Sequence, residues 1–235
     1  MAEGAVISTA STLFGAALEK AVKELNEPKH PTERLKYVNE LRQRLKNWQP
    51  QDSSEEGIVF SRLEDDRFLL RFLRAKKFDL SRAEQLYINY HVIRHKHLHV
   101  LGEITPQATE RVLDTGMVTV LPHRTKAGCK ILVIRPSRWD REAIKVEEVL
   151  KTVLVVLDRL LEDEETQVHG VTVFENLIGL SLVQVLQLVR SDREQKKLLL
   201  ELLQVKLSVP TCSYISYGVC KGIGQSLCVY RDFSV

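Results

Sequence analysis

The chain has 235 residues, of which 44% are hydrophobic, so it is long enough to bury a sizeable core in one large domain or two smaller ones. Its 34 Lys and Arg residues against 31 Asp and Glu give a net charge of +3, too weak a field to indicate a nucleic-acid partner. The four cysteines are too few for a disulfide scaffold, and we expect free thiols in a reducing compartment.

The amino-terminal segment does not have the pattern of a membrane or secretion signal. Residues 5–17, AVISTASTLFGAA, are mildly apolar but too short and too polar to cross a bilayer, and Glu3 stands where a signal peptide has a positive flank. We therefore expect a soluble, non-secreted protein in the cytoplasm.

The first hundred residues have the periodicity of helices. Apolar side chains recur at spacings of three and four from Leu18 to Trp48, and Pro28 with Pro31 divides this stretch into two helices. The polar residues 49–57 predict a mobile connection to a third helix.

The third helix combines an apolar repeat with a basic cluster in RFLLRFLRAKKFDL, residues 67–80. Asp65 and Asp66 mark its start, because acidic side chains favour the positive end of a helix. At 100° per residue, one side carries Phe68, Leu69, Phe72 and Leu73, and the other carries Arg67, Arg71 and Arg74. The pattern therefore predicts core and charge on opposite faces, with Lys76 and Lys77 extending the basic surface.

A fourth helix is predicted to follow, with Ser81 and Glu84 at the spacing of a capping box. Its apolar stripe runs toward Lys96 through Ala83, Leu86, Tyr87, Tyr90 and Ile93. The histidines near its end, His91 and His95, are one turn apart, but no third ligand completes a metal site and we interpret them as surface residues.

Beyond Pro106 the pattern changes to alternating helices and strands. A short helix at 108–115 precedes strands at 117–122, 130–136 and 170–177, with a long apolar helix at 146–161 and two later helices at 181–188 and 194–204. Strands separated by helices imply crossovers, so we predict an α/β fold with a largely parallel sheet.

Catalytic and calcium motifs are not found in the sequence. It has neither a G-x-S-x-G elbow nor a P-loop, and the glycines of KGIGQS, residues 221–226, do not precede a helical pattern. The acidic residues 162–167, EDEETQ, lack the alternating ligands and central glycine of an EF-hand loop, so they predict a solvated helix terminus. We expect no enzyme activity, no cofactor and no metal.

Three segments resemble the CRAL-TRIO family of Sec14-like lipid-transfer proteins, particularly its retinaldehyde-binding and tocopherol-transfer branch. They are DDRFLLRFLRAKKFDLSRAEQL at 65–86, VLPHRTKAGCKILVIRPSRWD at 120–140 and LLEDEETQVHGVTVFENLIGLSL at 160–182. Their order and spacing agree with the family. The resemblance implies an accessory helical domain at 1–100 and a partial lipid-binding domain at 101–204, in which a sheet floors an apolar cavity that a mobile helix closes.

The last segment, 205–235, departs from the family. The family continues with another strand, a gate helix and a last strand, whereas this segment has only modest β character at 214–219 and 227–230 and resembles none of these elements. We interpret it as a divergent tail of a truncated product. Loss of a strand and a gate predicts exposed apolar faces and weak lipid binding.

The resemblance also implies which residues line the cavity. One wall would comprise Leu150, Val153, Leu154 and Leu157, the floor Val171, Val173 and Glu175, and the opposite wall the helices around Leu182 and Leu199. Glu175 is the polar member, placed to hydrogen-bond the polar end of a ligand. A second interpretation remains open, in which the aliphatic residues are packed core and Glu175 is an exposed or ion-paired strand residue.

A phosphoinositide or anionic-lipid site is implied at the basic cluster. Lys76 occupies the family's head-group position, and Arg71, Arg74 and Lys77 are candidate helpers, unless these residues form a solvated face or salt bridges. The resulting hypothesis is a carrier that binds a retinoid, tocopherol or other lipid and associates peripherally with anionic membranes. The alternative is a protein-interaction module or a non-functional truncated isoform.

Overall fold

The computed structural model describes residues 13–50, 55–97, 106–140, 142–179, 212–219 and 226–232. Its amino-terminal part contains the four helices that the periodicity predicts. They are α1 Gly15–Leu25, α2 Pro31–Lys46, α3 Asp66–Ala75 and α4 Leu80–Lys96. None of the helices in the described ranges is long and apolar enough to cross a bilayer.

Helix α3 lies in the middle of the helical core. The side chain of Asp65 accepts a hydrogen bond from the Phe68 amide at 3.1 Å, which fixes the start of the helix. The four apolar residues predicted to face the core are all buried, and they pack against α2 and α4 in one cluster with Leu41, Leu45, Tyr87 and Tyr90. Their periodic spacing is thus confirmed as the core-facing stripe of α3.

The charged side of α3 was predicted wrongly in one respect. Arg74 has no solvent exposure, although the helical pattern places it opposite the core. It is buried because α1 and a helix from the second half of the chain both pack against α3 on this side. Arg71 is also largely covered, and its guanidinium lies 3.9 Å from the centroid of the Phe68 ring.

Helix α4 begins at a different cap from the one predicted. The side chain of Asp79 accepts a hydrogen bond from the Arg82 amide at 3.0 Å, so Asp79 is the N-cap and the predicted capping box of Ser81 and Glu84 is wrong. Asp79 takes this position because the chain has already turned at Lys77 and Phe78, both of which have positive φ.

The second part of the chain alternates helices and strands as predicted. Its helices are α5 Pro106–Asp114, α6 Val146–Leu160 and α7 Glu164–His169, with a 3₁₀ turn at Pro136–Arg138. Its strands are β1 Val118–Arg124, β2 Lys130–Ile134, β3 Val171–Asn176, β4 Cys212–Val219 and β5 Ser226–Asp232. The helices predicted at 181–188 and 194–204 lie outside the described residues.

The described strands form one sheet in the order β1-β2-β3-β4-β5. The two inner pairings, β2 with β3 and β3 with β4, are parallel, and the two outer pairings are antiparallel. Helix α6 supplies the crossover between β2 and β3. The α/β class and the combination of a helical part with a partial Sec14-like sheet are confirmed.

The carboxy-terminal strands change one expectation. The weak β character at 214–219 and 227–230 corresponds to β4 and β5, and β4 pairs with β3 from Val171↔Cys212 to Asn176↔Tyr217. The expectation that this segment adds no strand to the floor is therefore wrong. β-Branched and aromatic residues in short runs between turn formers suffice for pairing next to an existing strand.

A tight turn joins β1 to β2. The amide of Gly128 donates to the Thr125 carbonyl at 2.9 Å, and the amide of Thr125 donates to the Cys129 carbonyl at 2.9 Å. Gly128 has φ +87°, and a Cβ at this position would lie 2.5 Å from Nδ1 of His169. Glycine is required here for both the backbone conformation and the close approach of His169.

Candidate functional site

Helix α6 and strand β3 bring together four of the residues predicted to line a cavity. Val153 and Leu157 of α6 pack with Val171 and Val173 of β3 in a buried cluster that also contains Leu132 of β2. Their contacts are those of a packed interface between helix and sheet. On this face the structure agrees with the core interpretation that the sequence left open.

Leu150 and Leu154 lie on the neighbouring face of α6. Both are buried, yet neither belongs to the cluster formed with the sheet. The next position around the helix is Asp158, which contacts Arg71 of α3 and Arg94 of α4. Helix α6 is therefore covered on two adjacent apolar faces, with a charged contact to the helical part beyond them.

Glu175 follows Val171 and Val173 on the same face of β3, because side chains alternate along a strand. It is half-buried and pairs in register with Ile134 of β2 and Ser216 of β4. This position is near the carboxyl end of the parallel strands, where open α/β sheets bind ligands. The predicted wall residues Leu182 and Leu199 lie outside the described residues.

Two of the four residues predicted to bind a phosphoinositide form ion pairs within the protein. The guanidinium of Arg74 donates to Glu27 at 2.8 and 2.9 Å and to Glu164 at 2.9 Å. Arg71 lies 3.6 Å from the carboxylate of Asp158. The salt-bridge interpretation, which the sequence left open, therefore describes Arg71 and Arg74.

The buried ion pairs hold Arg74 in its charged form. Burial by itself lowers the pKa of Arg74, but the hydrogen bonds and charges of Glu27 and Glu164 outweigh it and raise the pKa. Gln167 accepts a further hydrogen bond from Arg74 at 2.7 Å, and Arg34 lies 3.5 Å from Glu27. We call Glu27, Arg34, Arg74, Glu164 and Gln167 the buried charge network.

Lys76 and Lys77 lie where α3 ends and remain accessible. Lys76 is half-buried and Lys77 is exposed, and neither forms an ion pair within the described ranges. Burial lowers the pKa of Lys76, and the positive charge of Arg82 lowers it further. Lys76, Lys77 and Arg82 form a local positive surface around the Asp79 carboxylate that caps α4, despite the small net charge of the chain.

The backbone at these lysines is an unusual helix end. The Phe78 amide donates to the Leu73 carbonyl at 2.7 Å and the Lys77 amide donates to the Arg74 carbonyl at 3.1 Å, the hydrogen bonds of a Schellman motif. Glycine commonly occupies the left-handed position, but here Lys77 has φ +54° and Phe78 has φ +61°. The buried Phe78 side chain fixes this conformation and thereby the position of both lysines.

Of the two histidines of α4, His91 differs from the prediction of a surface residue and His95 agrees with it. His91 is buried, and His95 is exposed. Nε2 of His91 lies 3.0 Å from the Ser61 amide, and Nδ1 lies 3.0 Å from the Tyr87 carbonyl. Because the carbonyl only accepts, Nδ1 carries the proton, and Nε2 accepts the Ser61 hydrogen bonds in a structural contact.

The acidic segment 162–167 is only partly the solvated terminus that was predicted. Asp163 caps α7, whereas Glu164 and Gln167 are buried in the charge network. Burial raises the pKa of Asp163, but a hydrogen bond from the Thr166 hydroxyl and the charge of Arg124 outweigh it and hold this pKa below its usual value. No group of three His, Cys, Asp or Glu side chains in the described parts of the chain is arranged to hold a metal ion.

The sequence interpretation missed the partners of these residues. Glu27 is 47 residues from Arg74 and Glu164 is 90 residues from it, so no local pattern connects them. Leu132 and Ile134 of β2 lie beside Val173 and Glu175, and the predicted parallel pairing could have identified them. Arg82 lies in the first turn of α4, where an exposed basic residue gives no distinctive signal.

Two family models match the chain. The model of the CRAL/TRIO N-terminal domain matches residues 38–89, which contain most of α2 with α3 and much of α4. The model of the CRAL/TRIO domain matches residues 114–205, which contain β1, β2, α6, α7 and β3.

Curated relatives support the same assignment. The chain is 40% identical over 163 residues to the alpha-tocopherol transfer protein-like protein of Mus musculus, covering 69% of this chain and 45% of that relative. It is 32% identical over 155 residues to clavesin-2 of Rattus norvegicus, covering 65% of this chain and 44% of the relative. The chain thus spans somewhat less than half the length of these relatives. With both domain models matched in order, and the helical part and sheet described above, the chain belongs to the CRAL-TRIO family.

Proposed function

We propose that this chain is a lipid carrier that binds one small hydrophobic molecule, such as a retinoid or tocopherol, beside α6 and the end of β3. The proposal is carried by the CRAL-TRIO assignment of this part of the chain, and Leu150 and Leu154, buried on the face of α6 next to the one that packs on the sheet, supply the candidate wall. Removing each ligand methylene from water contributes about 0.8 kcal/mol, so an apolar wall alone supports useful affinity. The name of the Mus musculus relative also refers to tocopherol transfer.

Glu175 is the proposed contact for the polar end of the ligand. Its half-buried position beyond Val173, near the carboxyl end of the parallel strands, would place a carboxylate next to an apolar surface. A hydroxyl group on the ligand could donate to it, whereas the amide of Glu175→Gln would make a weaker neutral hydrogen bond. Leu182 and Leu199 remain in the proposal as the opposite wall.

Two experiments test the proposed ligand binding. One measures the affinity for radiolabelled tocopherol and retinaldehyde, and the other identifies lipid extracted from the purified monomer by mass spectrometry. We expect at most one ligand per chain, bound more weakly than by a relative with the complete lipid-binding domain, and Leu154→Gln should weaken the affinity at least tenfold further. Glu175→Gln should weaken binding of tocopherol more than binding of its methyl ether, which cannot donate a hydrogen bond. Val59→Gln is the matched control, because Val59 is 83% exposed. A folded monomer that neither contains nor takes up either lipid would refute the carrier.

We further propose that Lys76 and Lys77 contact anionic membrane lipids, including phosphoinositides. This proposal is supported by the local positive surface at the end of α3, where the Schellman motif fixes the positions of both lysines. Arg71 and Arg74 belong to the prediction as helpers, but their ion pairs leave Lys76 and Lys77 as the residues to test first.

Vesicle binding tests this second part of the proposal. Each lysine near an anionic surface contributes about 1 kcal/mol, so Lys76→Ala with Lys77→Ala should weaken binding to phosphatidylserine and phosphoinositide vesicles about 30-fold. Lys46→Ala is the control, since Lys46 pairs with Glu64 at 2.6 Å. Equal binding by the double variant and the unchanged chain would exclude this surface.

The proposed carrier is not an enzyme and acts in the cytoplasm and at membrane surfaces. A carrier needs to bind and release its ligand without changing it, so ligand recovered from the protein after incubation should be chemically intact. The alternative, a protein-interaction module, predicts that only the helical part is stably folded. Limited proteolysis that leaves residues 106–179 as resistant as residues 13–97 would count against that alternative.

A further inference from the structure

The segment that precedes α3 is held on α4 by a small set of contacts. Phe60 inserts between aromatic rings, with ring centroids 4.9 Å from Trp48 and 5.3 Å from Tyr87. The carbonyl of Ser61 accepts a hydrogen bond from the Tyr87 hydroxyl at 2.7 Å. The amide of Ser61 donates to Nε2 of His91 at 3.0 Å, and its hydroxyl lies 3.1 Å from the same nitrogen.

The hydrogen bonds of His91 require the neutral ring. Nδ1 donates to the Tyr87 carbonyl, so the only nitrogen left to accept the Ser61 amide proton is Nε2. A proton on Nε2 would set two donors against each other and break the hydrogen bond from the Ser61 amide, leaving the Ser61 hydroxyl oxygen as an acceptor and the Tyr87 hydroxyl as a donor to the Ser61 carbonyl.

The charges that act on His91 oppose its protonation, although Asp158 of α6 pairs with both of the arginines that carry them. The charges acting on it are those of Arg94 on its own helix and Arg71 on α3, both cations, while Tyr87 and Tyr90 present neutral rings. The segment itself contributes Ser61 and the ring of Phe60. Burial lowers the pKa of His91 to about 4, the hydrogen bond to the Tyr87 carbonyl opposes this, and the two arginines lower it further.

The segment also stores strain and has an exposed apolar tip. Arg62 has φ +60°, a conformation that costs a residue with a side chain about 1 kcal/mol or more. Val59, two residues before Ser61, is 83% exposed. Release of the segment would add Phe60 and the covered side of Trp48 to this apolar surface.

We propose that residues 58–63 form a latch that acid releases, held on α4 while His91 is neutral and freed when its ring is protonated. The released state exposes aromatic side chains beside Val59. Because the open segment leaves His91 in water, opening is coupled to uptake of one proton. This device is independent of which lipid the protein carries.

Hydrogen exchange of the Ser61 amide, followed by NMR, tests the latch in the whole chain. With His91 at its ordinary pKa in the open state, the protection factor of this amide should fall about 25-fold between pH 7.5 and pH 5 after correction for intrinsic exchange. The Leu69 amide, which donates to the Asp65 carbonyl inside the core at 3.0 Å, should stay at least tenfold better protected than Ser61 at both pH values.

His91→Gln provides the matched variant, since its amide oxygen can accept the Ser61 hydrogen bond and does not titrate in this range. Its Ser61 protection should be independent of pH. Three results would each overturn the latch: unchanged Ser61 protection in the unsubstituted chain, equal protection of Ser61 and Leu69, or the same fall in His91→Gln. If His91→Gln does not fold, the first two measurements on the unsubstituted chain decide.

Discussion

Arg74 carries a full positive charge at a position with no solvent exposure. Two carboxylates from distant parts of the chain, Glu27 and Glu164, compensate this charge. Removing one member of a buried ion-paired set leaves the remaining charges desolvated and uncompensated. We expect Arg74→Met to lower the free energy of unfolding by about 3–5 kcal/mol, measured by urea denaturation.

Two comparisons make the Arg74 prediction specific. Arg67→Met removes an exposed charge from the same helix and should change the free energy of unfolding by less than about 0.5 kcal/mol. Adding Glu164→Gln to Arg74→Met should restore part of the lost stability, because the uncompensated charge of Glu164 is removed while Glu27 keeps its pair with Arg34. Similar losses for Arg67→Met and Arg74→Met would contradict the role of the network.

Gly128 provides a second prediction at the scale of a single residue, the loss of stability on substitution by alanine. Alanine at this position meets both an unfavourable φ of +87° and a contact of 2.5 Å with His169, whereas at Gly57 the φ is +79° and the nearest atom lies at 3.8 Å. Gly57→Ala therefore isolates the backbone cost of about 1–2 kcal/mol. We expect Gly128→Ala to lose at least about 1 kcal/mol more in thermal denaturation, and equal losses would show that His169 moves aside freely.

At the scale of one element, helix α4 has two candidate N-caps, Asp79 in the structure and Ser81 in the sequence pattern, and substitutions can distinguish them. Asp79 accepts the hydrogen bond from the Arg82 amide, so Asp79→Ala should lower the free energy of unfolding by about 1 kcal/mol. Ser81→Ala should have almost no effect, since Ser81 lies inside the first turn. Chemical denaturation of both variants measures the difference, and a larger loss for Ser81→Ala would restore the capping box that the sequence suggests.

Some features of the helices and strands could be predicted from neighbouring residues in the sequence, and others depend on distant parts of the chain. The start of α3 at Asp65, the burial of Phe68 and the strand 130–134 follow from caps, periodicity and apolar runs within a few residues. The burial of Arg74 could not be predicted in this way, because the helical wheel does not tell which side a later element will cover. Likewise, the weak pattern at 214–219 becomes strand β4 only through pairing with β3.

The candidate site was predictable to a similar extent. The apolar stripe of α6 is visible in the sequence, but the division between Val153, which packs on the sheet, and Leu154, which faces elsewhere, requires the orientation of the helix. The accessibility of Lys76 follows from its place at a helix end. The involvement of Arg71 with Asp158 depends on how the two parts of the chain meet.

For the whole molecule, the contacts between the helical part and the sheet part predict cooperative unfolding. Arg74 joins α3 to α7, and Asp158 of α6 joins Arg71 of α3 to Arg94 of α4. We expect differential scanning calorimetry to show one transition for the chain. Arg74→Met combined with Asp158→Asn should separate it into two, because these three ionic contacts of the described residues, Arg74–Glu164, Arg71–Asp158 and Arg94–Asp158, are then broken. Two resolved transitions in the unsubstituted chain would contradict this coupling.

The 90-residue separation of Arg74 from Glu164 also matters during synthesis. When the first four helices have left the ribosome, Glu27 is present but α7 has not yet been made, so the nascent helical intermediate must keep the Arg74 guanidinium hydrated or incompletely neutralised. Translation of residues 164–167 then supplies the missing acceptors and closes this side of α3. The order in which the ribosome delivers the partners thus delays the final consolidation of the amino-terminal helices until the sheet-forming half has begun to emerge.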